Sequence, residues 1–370
     1  MQIGIPKECK NHEYRVGATP GLVSLLTQAG HVVLVQSGAG EKIGYADEHY
    51  EHAGATIVPT LEAVYQAEMI VKVKEPQSKE FSLLRKGQIL FCYLHLAPDP
   101  EQTKHLIERQ VVAIAYETIT DDMGRLPLLT PMSEVAGRIA IQAGATCLQI
   151  AHGGKGLLLG GVPGVASAKV VIIGGGVVGT QVARVAMGFG ADVTILERRL
   201  SRLRELDDLY GPLLKTIYST PVAIEEAVAG ADLVVGAVLI PGKMAPKVIT
   251  EEMVKKMSHG SVLVDVAIDQ GGCAETSRPT THSDPIYIKH GVVHYCVTNI
   301  PGACARTSTQ ALTNATTPYV LDLAQKGYKQ ALKDDPHFLR GLNVCLGHVT
   351  NEHVASDCGY DYYPPQSFVE

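Results

Sequence analysis

The 370-residue sequence contains no tryptophan, and aromatic residues make up only 5% of it. No stretch reaches about 18 uninterrupted apolar residues, so no transmembrane helix is expected, and residues 1–15 lack the apolar core of a signal peptide. The eight cysteines form no C-x-x-C pair and the 14 histidines no H-E-x-x-H motif, so no metal site is expected. Cysteines dispersed in this way are typical of a reduced protein of the cytoplasm.

Charge is also scarce. Charged residues make up 19% of the chain, and its formal net charge is −6. Because a phosphate backbone needs a basic face to bind to, nucleic acid is not an expected partner. The length and a hydrophobic content of 46% suffice for two hydrophobic cores. The composition therefore indicates a globular protein of two domains.

Residues 169–197, KVVIIGGGVVGTQVARVAMGFGADVTILE, contain every part of a dinucleotide-binding βαβ unit in order. A run of β-branched residues predicts a buried strand, and Gly174, Gly176 and Gly179 then form G-x-G-x-x-G. The first glycine permits the tight turn, the second lets the backbone approach a pyrophosphate, and the third lets a helix starting near Val177 pack against the strand. A glycine turn with a purely structural role is the alternative.

The second strand of this unit ends at Glu197. A carboxylate at this position accepts hydrogen bonds from the ribose hydroxyls of the adenosine half, and it would repel a 2′-phosphate. The predicted cofactor is therefore NAD rather than NADP.

Strand-like and helix-like segments alternate along the chain, which is typical of α/β proteins. Ser133 is predicted to cap a helix that runs to about residue 145, and residues 307–323 are predicted to form a long helix. The tail after residue 341 is expected to return to the first domain. The other predicted strands are 2–5, 31–36, 70–73, 89–92, 111–115, 233–237, 262–266 and 292–295.

The predicted fold is α/β, with two doubly wound Rossmann-like domains and a cleft between them. The NAD-binding domain, residues 129–305, is inserted into a substrate domain made of residues 1–128 and 306–370. Open sheets of this type bind ligands at the carboxyl ends of their strands.

Two cationic residues follow early predicted strands. Arg15 could grip a carboxylate with its planar guanidinium, although a solvated surface arginine is the alternative. Lys74 follows the apolar strand IVKV, and Lys72 faces the same side of an ideal strand. The sequence alone does not choose between these two lysines.

His95 and Asp269 are the candidates for proton chemistry. His95 follows a buried strand in ILFCYLHLAPDP, and histidine exchanges protons readily near neutral pH; a hydrogen-bonded core or loop histidine is the alternative. Asp269 is predicted to end the strand VLVDVAID, which would bring its carboxylate to the cofactor crevice, whereas Asp265 in the same strand is interpreted as structural.

The chain resembles the alanine dehydrogenase / transhydrogenase NAD-subunit family from residue 1 to about residue 355. The matching blocks are GIPKE, HEYRVGATP, VKVKEP, YLHLAPD, PMSEVAGR, GGVPGV, the glycine motif, VDVAIDQGG, NIPGA, RTST and GLNVCLGHVT. The resemblance implies an enzyme that reversibly oxidises L-alanine with NAD⁺ and water to pyruvate, ammonium and NADH. It also implies a homohexamer.

The resemblance assigns roles to individual residues. Arg15 and Lys74 would bind the substrate carboxylate, His95 would act as acid and base, and Asp269 would face the substrate amine. Besides the three glycines, it implies NAD contacts from Ser133, Val177, Val178, Glu197, Arg202, Ser219, Val238, Leu239, Val266, Ala267, Ile268, Asp269, Arg278, Thr298, Asn299, Ile300 and Pro301.

Other functions stay open at this point. A saccharopine-type dehydrogenase that forms a secondary amine, or the NAD-binding subunit of a transhydrogenase, would share much of this pattern. A catalytically silent NAD(H)-binding sensor is the alternative from outside enzymes.

Overall fold

Two sheets organise the chain in the computed structural model, which describes residues 1–238 and 244–370. The described residues separate into two units, residues 1–132 with 304–370 and residues 133–303. The first unit therefore contains both ends of the chain, and the second is inserted into it.

The first sheet has eight strands in the described residues, in the spatial order β15-β14-β6-β5-β4-β1-β2-β3. Strands β1 to β6 pair with one another in parallel, β14 is antiparallel to β6, and β15 is antiparallel to β14. The tail thus returns to the first sheet. The strands are β1 Gln2–Ile5, β2 Val32–Gln36, β3 Thr56–Val58, β4 Met69–Val71, β5 Ile89–Cys92, β6 Val112–Ala115, β14 Leu342–Cys345 and β15 His348–Val349.

The second sheet has seven strands in the described residues, in the order β12-β13-β11-β10-β7-β8-β9. All of them pair in parallel except β12, which is antiparallel to β13. The strands are β7 Lys169–Ile173, β8 Asp192–Glu197, β9 Leu214–Tyr218, β10 Leu233–Gly236, β11 Val262–Asp265, β12 Ile286–Lys289 and β13 Val292–Tyr295.

Helices connect the strands, and most of them are short. Among the described residues, no helix combines the length and the hydropathy that crossing a membrane requires. The helices are α1 Pro20–Gln28, α2 Asp47–His52, α3 Leu61–Val64, α4 Ser78–Phe81, α5 Pro100–Glu108, α6 Thr130–Cys147, α7 Val177–Gly188, α8 Leu200–Tyr210, α9 Pro221–Ala229, α10 Glu251–Lys256, α11 Ala305–Asp334, α12 Pro336–Leu339 and α13 Glu352–Cys358.

Both sheets contain the same doubly wound arrangement of six parallel strands. In each, the first and fourth strands of the series lie side by side: β1 beside β4 and β7 beside β10. The connections leave this pair in opposite directions, and the carboxyl ends of the strands there form the usual ligand crevice of an open sheet. The predicted α/β class with two doubly wound Rossmann-like domains is therefore confirmed.

Several sequence-based elements need correction. The helix predicted to be capped by Ser133 begins at Thr130, so Ser133 lies inside the first turn of α6 and does not cap it. The strand predicted to end at Asp269 ends at Asp265, and residues 266–270 form a 3₁₀ helix. The long helix α11 extends to Asp334, with a kink at Gly327, where φ is 71°.

Candidate active site

The glycine loop after β7 has the geometry that a dinucleotide requires. Gly174 has a φ of 106°, and a Cβ there would lie 2.7 Å from the carbonyl oxygen of Ala237. A Cβ at Gly179 would lie 1.9 Å from the carbonyl oxygen of Gly174, so only glycine lets α7 pack this closely. A Cβ at Gly176, in contrast, would meet no atom within 4 Å. The second glycine faces open space that a pyrophosphate can enter.

Helix α7 begins directly behind this loop. Its N-cap residue is Gly176, which has no side chain to cap the first N–H groups of Val177 and Val178. Helix N-termini of this type bind phosphate through their N–H groups and dipole. Helix α6 packs against the first turn of α7, since a Cβ at Gly137 would lie 2.5 Å from the carbonyl oxygen of Val178. Ser133 lies one turn before Gly137 on α6.

Glu197 at the end of β8 lies against the glycine loop. Its Oε2 accepts the N–H of Gly175 at 2.9 Å, and its Oε1 accepts the N–H groups of Arg198 and Arg199 at 2.9 Å each. Burial opposes the charge, but the hydrogen bonds from Arg199 and Gly175 outweigh it and lower the pKa of Glu197. The carboxylate is therefore ionised and fixed beside the loop, where it can accept ribose hydroxyls.

Arg202 and Ser219 lie on either side of Glu197. The guanidinium of Arg202 donates to the carbonyl oxygen of Gly175 at 2.8 Å and to the hydroxyl of Thr180 at 2.7 Å, so it lies on the glycine loop. The N–H of Ser219 donates to the carbonyl oxygen of Glu197 at 3.0 Å, which places Ser219 at the end of the neighbouring strand.

Asp269 and Asn299 meet at the ends of β11 and β13. Asp269 is exposed on the 3₁₀ helix Val266–Gln270, and its Oδ1 accepts the N–H of Asn299 at 3.4 Å. Asn299 has a φ of 59°, and its carbonyl oxygen lies 3.1 Å from Nε2 of His282. The predicted contact residues on the two adjoining segments are Val266, Ala267, Ile268, Thr298, Ile300 and Pro301.

Of three further predicted contacts, Val238 lies against the glycine loop, Arg278 lies on Tyr287, and one cannot be placed. Val238 lies two residues beyond the end of β10, and a Cβ at Gly174 would approach its N atom to 3.3 Å. Arg278 stacks on the ring of Tyr287, with its guanidinium carbon 4.1 Å from the ring centroid. Leu239 lies outside the described residues.

These features fit NAD. The open approach to Gly176 and the uncapped start of α7 suit a diphosphate, and the ionised Glu197 suits a ribose with free hydroxyls. Among residues 1–238 and 244–370, no group of three or more His, Cys, Asp or Glu residues could hold a metal ion.

In the first unit, Arg15 lies in the loop after β1. It is only 2% exposed, and its Nε and one terminal nitrogen donate to the two oxygens of Glu13 at 2.7 and 2.6 Å. Burial opposes the charge, but Glu13 outweighs it and raises the pKa of Arg15. The interpretation as a solvated surface arginine is therefore wrong: Arg15 is a buried cation in a fixed, bidentate ion pair.

The two candidate lysines after β4 have different environments. Lys72 is fully buried, with its Nζ 2.9 Å from Oε1 of Glu80 and 3.4 Å from Oε2 of Glu8. Lys74 is half-buried. Its backbone N–H donates to Oε1 of Glu8 at 3.3 Å, and the backbone N–H of Val73 donates to the same oxygen at 2.7 Å. Lys72 therefore belongs to an internal ion cluster, and Lys74 is the lysine that can reach a ligand.

His95 lies beyond β5 and is held by Glu117, two residues beyond β6. Oε1 of Glu117 accepts the His95 N–H at 2.6 Å and the Leu94 N–H at 3.2 Å, and it lies 3.9 Å from Nδ1 of His95. His95 has a φ of 49° and a side chain that is 47% exposed. It is therefore an accessible histidine whose backbone is fixed by a carboxylate, rather than a core histidine.

Two family models match consecutive parts of the chain. The alanine dehydrogenase/PNT N-terminal domain matches residues 4–136, and the alanine dehydrogenase/PNT C-terminal domain matches residues 140–352. The chain belongs to the alanine dehydrogenase/PNT family.

Individual members of the alanine dehydrogenase/PNT family match over their full length. An alanine dehydrogenase of Halomonas elongata is 56% identical over 370 residues, which is 100% of both chains. One of Bacillus subtilis is 57% identical over 372 residues, covering 100% of this chain and 98% of the relative. A solved structure of an L-alanine dehydrogenase matches with a TM-score of 0.94 and 50% identity, covering 96% of this chain and 99% of that one.

Sequence reasoning missed three acidic residues in this alanine dehydrogenase/PNT chain. Glu8, Glu13 and Glu117 fix the backbone of Lys74, the side chain of Arg15 and the backbone of His95 respectively. The sequence carries one weak signal for each, since all three follow strands of a parallel sheet at the end where ligands bind. Nothing in their spacing tells which cation or backbone group each would contact.

Proposed function

We propose that this chain is an NAD-dependent L-alanine dehydrogenase, which converts L-alanine and water reversibly to pyruvate and ammonium. The observation that carries the proposal is the match over the full length of the chain to alanine dehydrogenases at 55–57% identity. The site residues agree with it, because a buried arginine, an accessible lysine and an accessible histidine follow three neighbouring strands of one sheet.

The second unit binds the cofactor. The glycine loop and α7 hold the diphosphate, and Glu197 accepts the adenosine ribose hydroxyls. NAD⁺ held by these residues would supply the acceptor for the hydride of the alanine Cα. The assignment of residues 129–305 as the NAD domain, with residues 1–128 and 306–370 as the substrate domain, is part of this proposal.

Arg15 and Lys74 bind the substrate carboxylate. Arg15 brings a planar cation whose orientation is fixed by Glu13, so it loses little freedom when a ligand binds. Lys74 brings a second positive charge from a backbone that Glu8 holds in place. Two cations at fixed positions orient the carboxylate, and with it the Cα–H bond.

Asp269 and His95 carry the charge and proton steps. Alanine reacts with its amine unprotonated, after release of one proton to solvent. When Cα then loses its hydride, the substrate becomes an iminium ion, whose positive charge the Asp269 carboxylate stabilises. Water then adds to this carbon, and His95 takes one of its protons. His95 returns the proton to the nitrogen of the carbinolamine, and as ammonia leaves, it takes up the hydroxyl proton, which gives the pyruvate carbonyl and ammonium. One group therefore serves as base and then as acid.

The proposal also covers the protein's cellular location, oligomeric state and partners. We infer a cytoplasmic location from the eight free cysteines and a homohexamer from the family resemblance. The partners are small molecules, namely L-alanine, pyruvate and ammonium.

The direct test mixes the protein with NAD⁺ and L-alanine and follows NADH absorbance. NADH should accumulate with L-alanine, and pyruvate with ammonium should consume it.

His95→Ala should bind NADH with nearly wild-type affinity yet lose about 10²-fold or more of turnover. The exposed His353→Ala is the matched control. NADH binding without alanine turnover in the wild type would favour a silent NAD(H) sensor instead.

A further inference from the structure

Asp265 at the end of β11 is a buried carboxylate surrounded by hydrogen-bond donors. It has no exposed surface, and its Oδ1 accepts the N–H of Ala267 at 3.1 Å. Its Oδ2 accepts the N–H groups of Cys273 and Ala274 at 2.8 and 3.2 Å and the hydroxyl of Ser277 at 2.6 Å. Burying a carboxylate costs free energy unless such bonds compensate it.

These bonds tie together the two ends of one loop. The bond from Ala267 caps the start of the 3₁₀ helix Val266–Gln270, and the other bonds hold the chain where the loop ends. Between these ends, a Cβ at Gly272 would lie only 2.7 Å from Oδ2 of Asp265. The carboxylate therefore fills the inside of the loop and leaves little room for a second loop conformation.

The thiol of Cys273 adds to the same arrangement. Its Sγ lies 3.5 Å from Oδ1 of Asp265. Burial raises the pKa of Cys273, and the charge of Asp265 raises it further, so the group stays a thiol that can donate.

The loop that Asp265 closes carries Asp269. The two residues are one 3₁₀ helix apart, and the Asp269 carboxylate is exposed and lies 3.4 Å from the N–H of Asn299. We propose that Asp265 is a positioning residue that acts through Asp269, by fixing the 3₁₀ helix that aims the Asp269 carboxylate at the substrate amine. This inference rests on the proposed function.

The principal test is Asp265→Asn. The NH2 of the asparagine amide is a donor and would face N–H and O–H groups that are also donors. The two ends of the loop should therefore no longer be held together. A displacement of about 1 Å at a reacting group costs about 10²-fold in rate, so we expect kcat for pyruvate amination to fall about 100-fold. The Kd of NADH, read from its fluorescence, should rise by a much smaller factor than kcat falls, because the glycine loop and Glu197 are untouched and only the contacts from residues 266–269 shift.

A milder variant covers the case in which Asp265→Asn does not fold. Ser277→Ala removes one donor to Asp265 and should lower kcat several-fold, with a smaller change in the Kd of NADH. Its control is Ser261→Ala, which removes a hydroxyl that is more deeply buried than that of Ser277 and donates to the carbonyl oxygen of Ala231 at 3.1 Å. Equal kcat values for the two serine variants would overturn the proposal.

A double-mutant cycle separates positioning from general destabilisation. In an Asp269→Asn background, Asp265→Asn should cause little further loss, because the group through which it acts is already disabled. An equally large loss in both backgrounds would overturn the positioning role. If the Asp269→Asn background has no measurable turnover, the two serine variants decide.

The outcomes also separate this inference from the function it rests on. Full turnover of Asp269→Asn would remove Asp269 from the proposed mechanism and the positioning role with it. Loss in Asp269→Asn together with full turnover in Asp265→Asn would end only the positioning role.

Discussion

At the scale of single residues, we expect Glu197 to decide which dinucleotide the protein binds. Its carboxylate is ionised and held by three backbone N–H groups beside the glycine loop. A ribose with free hydroxyls can donate to it, whereas a 2′-phosphate would be repelled.

Glu197→Gln should therefore weaken NADH binding about 10-fold and NADPH binding much less, since the lost charge also removes a repulsion. The measurement is the dissociation constant of each dinucleotide in both proteins. Glu205→Gln is the control, because Glu205 is exposed and pairs with Arg202. An unchanged ratio of the two constants would rule out ribose selection by Glu197.

Residue types were easier to predict than residue environments. The sequence marks Arg15 as a cation after a strand, but its burial depends on Glu13, whose carboxylate turns back onto the same loop. Lys72 and Lys74 are equivalent in an ideal strand. They differ only because Glu8 and Glu80 enclose Lys72, and Glu80 comes from a separate helix.

At the scale of elements, two glycines in the turn from β7 into α7 have different roles, one in packing and one in ligand binding. Gly179 is needed for packing, since its Cβ would lie 1.9 Å from the Gly174 carbonyl oxygen, whereas Gly176 faces open space with a φ of −72°.

Gly179→Ala should lower the thermal midpoint of the apoprotein clearly, because backbone atoms must move apart. Gly176→Ala should leave that midpoint within a few degrees yet weaken NADH binding about 10-fold or more, because the new methyl group occupies the diphosphate approach. Thermal denaturation and NADH titration of both variants check this. Equal effects of the two substitutions on both measurements would contradict the assigned roles.

The elements that sequence reasoning found have unbroken apolar runs, and those it missed do not. Strand β9 at the edge of its sheet is largely exposed and contains a lysine, so it lacks the pattern of a buried strand. The error at Asp269 has a different cause. The run VLVDVAID continues as a strand pattern, but the Asp265 side chain caps a 3₁₀ helix and ends the strand early.

At the scale of the whole molecule, the internal ion cluster around Lys72 couples stability to pH. Burial raises the pKa of Glu8 from 4.5 to about 7, although the ammonium of Lys72 lies 3.4 Å away and favours the charged form. Folding therefore favours protonated Glu8. Its stabilising contribution is complete below pH 4.5 and is lost as the pH rises through about 7.

Glu8→Gln should remove this pH dependence. Between pH 5 and pH 8, wild-type stability should fall relative to the variant by on the order of 2 kcal/mol. Urea denaturation of both proteins at several pH values measures the difference, with Glu62→Gln at an exposed position as the control. A constant difference across this range would mean that Glu8 does not titrate there.

The antiparallel pairing of β14 with β6 also determines when the first sheet can be completed during translation. Strand β6 leaves the ribosome early, but its partner Leu342–Cys345 emerges only after the entire inserted unit. Nascent chains fold from their N-terminus domain by domain, so the inserted unit can mature while the earlier one still has a bare strand edge. An unpaired edge is a template for aggregation. Translation therefore has a vulnerable interval, and chaperones that shield this edge should matter most until the last strands are made.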